Sequence, residues 1–226
     1  MSEDFTSVLK EKRVFNPSKR FRQQAHIKSM QEYNKIYKKS IENPEAFWAE
    51  KARQLHWFKK WKTVLKSNGN FFKWFEGGKI NVCYNCLDKN ISEGKGNKIA
   101  LIWEAEDGKT IRFTYSKLLG EVCKFANVLK KHGMKKGDRI CIYLPMIPEL
   151  AIAMLACARI GVIHSIVFGG YSSESIKDRI KDCEAKMVIT SDGSFRNGKI
   201  IPLKDTVDKA VRKCPSVKKI ITVKRC

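Results

Sequence analysis

The chain has 226 residues, room for one large domain or two small ones. Its apolar fraction of 43%, with five Trp and twelve Phe, excludes a disordered composition. Lys and Arg number 45 against 23 acidic residues, a net charge of +22, which fits either an anionic partner (nucleic acid, a membrane surface, a phosphorylated small molecule) or a Lys-rich surface with no specific partner.

The charge is no tail: the first 80 residues carry less than half of the surplus. The most apolar run, Leu150 to Gly161, is too short to span a bilayer and contains Arg159, so it reads as a buried core helix. The polar start MSEDFTSVLKEKR has no signal-peptide character. Eight Cys are present, at 83, 86, 123, 141, 157, 183, 214 and 226. Those at 123, 141 and 157 lie in apolar runs, where a free Cys acts as a small hydrophobe. A reducing, cytoplasmic setting is the expectation.

In chain order, residues 1–20 read as a loose basic lead-in, and 24–64 as helical and aromatic. Asn43-Pro44-Glu45 is a helix start: an N-cap, Pro at the first position, an acid in the first turn. Phe47, Trp48, Leu55 and Phe58 mark a packing face. Phe71-Phe72-Lys73-Trp74-Phe75 runs into a turn at Gly77-Gly78, and this first part is expected to be all helix and loop. The texture then changes. Residues 98–104 read as a strand, Glu106-Asp107-Gly108 as a turn and Thr110–Phe113 as its hairpin partner. Thr114 caps a helix to about Lys131, with Leu118, Val122, Phe125, Ala126 and Leu129 on one face and Gly133 ending it. Strands at 139–144, 162–167, 187–190 and about 220–223 alternate with helices at 149–160, 173–183 and about 203–211. That alternation predicts βαβ units and a parallel sheet.

Four stretches carry candidate chemistry. Gly193 to Lys199 spells G-x-x-x-x-G-K, the spacing of a Walker-type phosphate loop. Ile200 stands where the metal-binding hydroxyl belongs, and Pro202 follows where a helix should open. Without the Walker reading the stretch is a tight turn at Asn197-Gly198 between two cations, Arg196 and Lys199, able to hold phosphate or simply solvated. Val167 to Ser175 (VFGGYSSES) joins a strand to a helix at the strand's carboxyl end, where ligands gather in open parallel sheets. Paired Gly there serves a close ligand approach or a plain turn capped by Ser172 or Ser173. Cys83-x-x-Cys86 lacks the second pair of a zinc site. The four His, at 26, 56, 132 and 164, have no metal spacing, and His164 reads as a core residue of its strand.

Several stretches together closely resemble the N-terminal part of AMP-forming acetyl-CoA synthetases, over residues 31–212. They are Pro44 to Trp48 (PEAFW), Phe72 to Phe75 (FKWF), Asn81 to Asp88 (NVCYNCLD), Ala100 to Glu104 (ALIWE), Tyr143 to Leu150 (YLPMIPEL), Ala153 to Gly161 (AMLACARIG), Val167 to Tyr171 (VFGGY) and Ala185 to Asp192 (AKMVITSD). The resemblance implies an α/β fold: a helical N-terminal layer over residues 1–90, then over 91–226 an incomplete parallel βαβ sheet of the acyl-adenylate-forming enzyme N-terminal domain. It implies a ligase that makes acetyl-AMP from acetate and ATP and passes the acetyl group to coenzyme A. Phe168, Gly169 and Gly170 match family positions near the coenzyme A nucleotide. Arg196, Asn197, Gly198 and Lys199 match the turn that grips its phosphates, with Lys199 where many members have Arg and Cys83 where the family often has Ser.

The family's ATP phosphate loop, acyl-pocket Trp, ribose-binding Asp and late catalytic Lys have no counterpart in these residues. The resemblance therefore implies no catalytic or metal-binding residue here, with ATP and Mg²⁺ handled elsewhere in a complete enzyme, the rest of which is the expected partner. A stand-alone module for coenzyme A or acyl-CoA, and a basic nucleic-acid-binding module, are the competing readings. The latter lacks a recognisable RNA- or DNA-binding motif.

Overall fold

The computed structural model describes residues 13–226, so most of the expected basic lead-in lies outside the described residues. The chain divides into two compact units, residues up to Gln54 with Thr63–Glu76, and Leu55–Lys62 with Gly77–Cys226.

Among the described residues the first unit holds three helices and a hairpin. Helix α1 is Lys19–Gln24, α2 Met30–Glu42 and α3 Pro44–Ala52. Ser18, Ser29 and Asn43 cap them in turn, each side-chain oxygen accepting a backbone N–H of the first turn, which satisfies donors the helix leaves unpaired. The Asn43-Pro44 start is where the sequence puts it. The all-helical expectation is corrected by strands β1 (Thr63–Asn68) and β2 (Phe71–Glu76), which pair antiparallel. Gly69, at φ +59°, opens their two-residue turn. Thr63, Val64 and four aromatic residues favour a pleated surface over a helix, and Trp74 meets Trp48 of α3 edge-on at 6.1 Å.

The second unit holds the sheet. Two π-helical turns, Tyr84–Asp88 and Ile91–Lys95, lead into a hairpin of β3 (Ile99–Glu104) and β4 (Thr110–Thr114). Arg159 grips Asp88 through two hydrogen bonds of 2.9 and 3.1 Å, tying the first turn to the end of α5 (Pro148–Ile160). Among the described residues β5 (Arg139–Leu144), β6 (Ile163–Phe168), β7 (Met187–Ser191) and β10 (Lys219–Val223) form one parallel sheet in the order β10-β7-β5-β6.

The pleat of β5 divides the core. Ile140, Ile142 and Leu144 face α4 (Tyr115–Lys131) and α5 through Leu118, Val122, Leu129 and Ala153. Cys141 and Tyr143 face α6 (Ser173–Cys183) and α7 (Leu203–Val211) through Ile176, Ile180 and Val207. Both faces of β5 are covered, which is why RICIYL reads as a continuous apolar run. Thr114 caps α4, and Gly133 follows it in the left-handed region at φ +81°. His164 corrects the expectation of a core residue: it is half-buried on the edge strand β6, its ring hydrogen-bonds to no described residue, and partial burial lowers its pKa.

At the amino end of the sheet, Asp138 accepts from Lys186 Nζ at 2.6 Å and from the Lys135 N–H at 2.8 Å. The Lys186 hydrogen bond, then the backbone one, hold its carboxyl below the usual Asp value of 3.8. A depressed native pKa adds stability that is complete above the unfolded value and lost as pH falls through the lower native one. The melting temperature is therefore expected to drop on acidification below about pH 4, and Asp138→Asn to remove part of that drop; an unchanged acid profile in the variant would exclude the role.

Candidate functional site at the carboxyl edge of the sheet

Strand β5 leaves the sheet toward α5 on one face, while β6 and β7 leave toward α6 and α7 on the other. Strand ends that part this way open a crevice at the carboxyl edge of a parallel sheet. Three loops meet there: Pro145-Met146 after β5, Gly169-Gly170-Tyr171 after β6, and Asp192-Gly193 after β7.

The loop after β6 is fastened from below. Tyr143, 1% exposed, donates its hydroxyl to the Tyr171 carbonyl at 3.0 Å and accepts from the Gly170 N–H at 3.1 Å. Burial pushes its pKa up, which keeps the hydroxyl protonated and donating. Gly170 sits at φ +134°, a conformation that side chains rarely adopt. A Cβ at Gly169 would meet the Leu144 carbonyl oxygen at 3.3 Å, so this glycine is where the β6 loop crosses the β5 loop closely.

After β7 the chain turns through a small hairpin rather than a helix. Strand β8 (Ser194–Arg196) pairs antiparallel with β9 (Lys199–Ile201). Asn197 at φ +52° and Gly198 at φ +70° form the turn, the pair of left-handed residues a type I′ turn requires. A Walker loop needs a helix where β9 lies, so that reading fails. Arg196 and Lys199 are register partners, and like charges directly opposite repel. Neither side chain has a hydrogen bond or ion pair with a described residue, leaving both free to take an anion. Glu106, in the β3–β4 turn, accepts the Gly198 N–H at 3.1 Å and pins the turn's tip.

The structure brings Phe168, Gly169 and Arg196 around one cavity of about 320 Å³. Gly170 joins them: a Cβ there would lie 3.6 Å from Arg196 Nη1. Asn197 and Lys199 stand outside the cavity wall, and Gly198 borders a neighbouring cavity of about 660 Å³ lined also by Trp103, Ile111, Phe113 and Ile147. Sequence reasoning missed Tyr143, Glu106, Trp103, Asp192 and Arg225. Asp192 could have been noticed as an acid directly before the loop. It accepts from the N–H groups of Arg225 (2.9 Å), Gly193 (2.8 Å) and Cys226 (3.2 Å), which together hold its carboxyl below the usual range. Cys83 is buried and accepts from Arg159 while Cys86 is exposed, so the C-x-x-C thiols do not converge on one site.

Residues 87–225, more than half of the chain and all of this crevice, match the family model described as AMP-binding enzyme. The chain belongs to the AMP-binding enzyme family. Residues 33–86 match the model of the acetyl-coenzyme A synthetase N-terminus. Among curated relatives, an acetyl-coenzyme A synthetase of Syntrophobacter fumaroxidans is 56% identical over 198 residues, covering 85% of this chain and 30% of the relative. Those of Leptospira biflexa and Chlorobaculum tepidum are 52% and 47% identical, covering 96% and 99% of this chain and 34% of each relative. The chain thus spans about a third of the length of the curated relatives it matches. Within this AMP-binding enzyme, no helix among the described residues is long and apolar enough to cross a membrane.

Proposed function

We propose that this chain carries part of the coenzyme A site of an acetate–CoA ligase, an enzyme that makes acetyl-CoA from acetate, ATP and coenzyme A through acetyl-AMP. The observation that carries the reading is the meeting of Arg196 with Phe168, Gly169 and Gly170 in one crevice. Coenzyme A brings a 3′-phosphate and a diphosphate. Arg196 offers a planar fork of donors, opposed across the hairpin by Lys199, and two cations held this close gain from a shared anion with no metal between them. Phe168, 59% exposed and edge-on to Tyr171 at 6.2 Å, offers an apolar ring to the nucleotide base. The glycines let a ligand approach the backbone. Asn197, Gly198 and Lys199 belong to the site through the turn they form.

No residue of this chain is assigned to catalysis, to ATP or to Mg²⁺. On this reading residues 1–90 are an accessory region and 91–226 the ligand-bearing one, working in the cytoplasm with the polypeptide that makes up the rest of the relatives' length. Acetate-dependent pyrophosphate release by the purified 226 residues is expected to be absent, while calorimetry is expected to register coenzyme A binding. Turnover near that of a full-length relative would overturn the first part, and no coenzyme A binding at millimolar ligand the second.

A further inference from the structure

We infer that Arg225 is a second anion-binding arginine of the cavity that holds Arg196, placed to take a phosphate oxygen of a phosphorylated nucleotide. This rests on the reading of the cavity as a coenzyme A site.

Three observations converge on Arg225. Its backbone is fixed, since the Asp192 carboxylate accepts its N–H at 2.9 Å just past β10. Its guanidinium lies near two aromatic rings, 5.5 Å from the centroid of Trp103 and 5.5 Å from that of Phe195. Both rings are placed by the fold: Trp103 donates its indole N–H to the Met146 carbonyl at 2.8 Å, and Phe195 precedes Arg196 in β8. Finally, the guanidinium donates to no described residue, and its Nε–H is buried without an acceptor.

Stacking alone does not explain an arginine here. Two rings within cation–π distance meet the charge of the guanidinium but accept none of its N–H donors in the plane of the fork. A buried donor without an acceptor is uncommon in native proteins and points to a group still to arrive. Arg225 lines the same cavity as Arg196 and Phe168, so the group that reaches Arg196 lies within the same enclosure. The acids of that wall do not serve as the acceptor: Glu104 and Glu106 form no ion pair with Arg225, and Glu106 already accepts from Gly198. A guanidinium fork with a fixed backbone and two rings beside it suits phosphate oxygens in particular, because less side-chain freedom remains to be lost on binding.

The test is calorimetry on the 226-residue chain with two probes, adenosine 3′,5′-bisphosphate and uncharged adenosine, for wild type, Arg225→Met, Arg225→Lys and Arg196→Ala. Wild type is expected to prefer the bisphosphate. Arg225→Met, which keeps most of the volume, is expected to weaken the bisphosphate about tenfold, equivalent to about 1.4 kcal/mol, and to leave adenosine unchanged. Arg225→Lys, with charge but no fork, is expected to fall between, and it carries the test should the Met variant fail to melt cooperatively. If Arg196→Ala weakens the bisphosphate and Arg225→Met does not, the inference falls and the coenzyme A reading stands. If Arg225→Met weakens both probes equally, Arg225 only shapes the cavity and the inference is wrong. If wild type does not distinguish the probes, the coenzyme A reading falls and takes the inference with it.

Discussion

Arg196→Ala is expected to weaken coenzyme A binding to this chain by about tenfold. Hydrogen bonds to charged groups are worth roughly 1.5–3 kcal/mol, and Arg196 is solvent-exposed, which places the expected loss at the lower end. The side chain reaches Gly170 across the crevice and is tied up by no described acid, so its removal subtracts a contact with ligand rather than a structural brace. Lys199→Ala is expected to weaken binding less. Lys199 stands outside the cavity wall, and an ammonium meets a phosphate as a point charge rather than as a fork. Built into a full-length relative, the same Arg196→Ala change should raise the KM for coenzyme A and leave acetate-dependent pyrophosphate exchange nearly intact. Loss of exchange with coenzyme A binding spared would reverse the assignment of this hairpin.

Two adjacent residues of β5 should fail in different ways. Ile142 is fully buried on the face toward α4 and α5, in the middle of the central strand. Ile142→Ala is expected to destabilise the chain by about 2–5 kcal/mol, the cost of lost burial plus the cavity left behind. Against a typical domain stability of roughly 5–15 kcal/mol that is a large fraction. Tyr143, one residue on, faces the other layer and carries the β6 loop on its hydroxyl. Tyr143→Phe keeps the ring packing but strips the Gly170 N–H and Tyr171 carbonyl of their partner, an expected loss of about 1–3 kcal/mol. Urea unfolding measures both. The separating readout is coenzyme A affinity: Tyr143→Phe should lower it by loosening Gly170 against Arg196, whereas Ile142→Ala, on the far side of the sheet, should leave it unchanged in the folded protein. Equal effects on affinity would mean that Tyr143 acts only through global stability.

Much of the second unit was legible because its signals are local. The alternation of apolar runs and amphipathic stretches from 98 to 223 predicted every strand of the parallel sheet and each helix between them, most to within a residue or two. Thr114 as a cap and Asn197-Gly198 as a turn were readable from chemistry that acts over three or four residues. The hairpin at 63–76 escapes the sequence reading because the run Phe71–Phe75 falls in a stretch expected to be helix and loop with its turn at Gly77-Gly78, while Gly69 makes the turn.

By itself the sequence determined the fold class, the order of the elements of the parallel sheet and the Asn197-Gly198 turn, since backbone propensity and hydrophobic period are properties of short segments. Only the tertiary structure decided what stands beside what. The order β10-β7-β5-β6 brings residues 144–146, 168–170 and 192–196 to one edge, although they are far apart in the chain. That juxtaposition sets Arg196 against Gly170, lets Tyr143 hold a loop 28 residues away, and brings Arg225 beside Trp103 and Phe195. No local pattern encodes such meetings. They follow from burying both faces of β5 at once, which leaves the carboxyl ends of the strands as the place where the loops, with their polar groups, must gather.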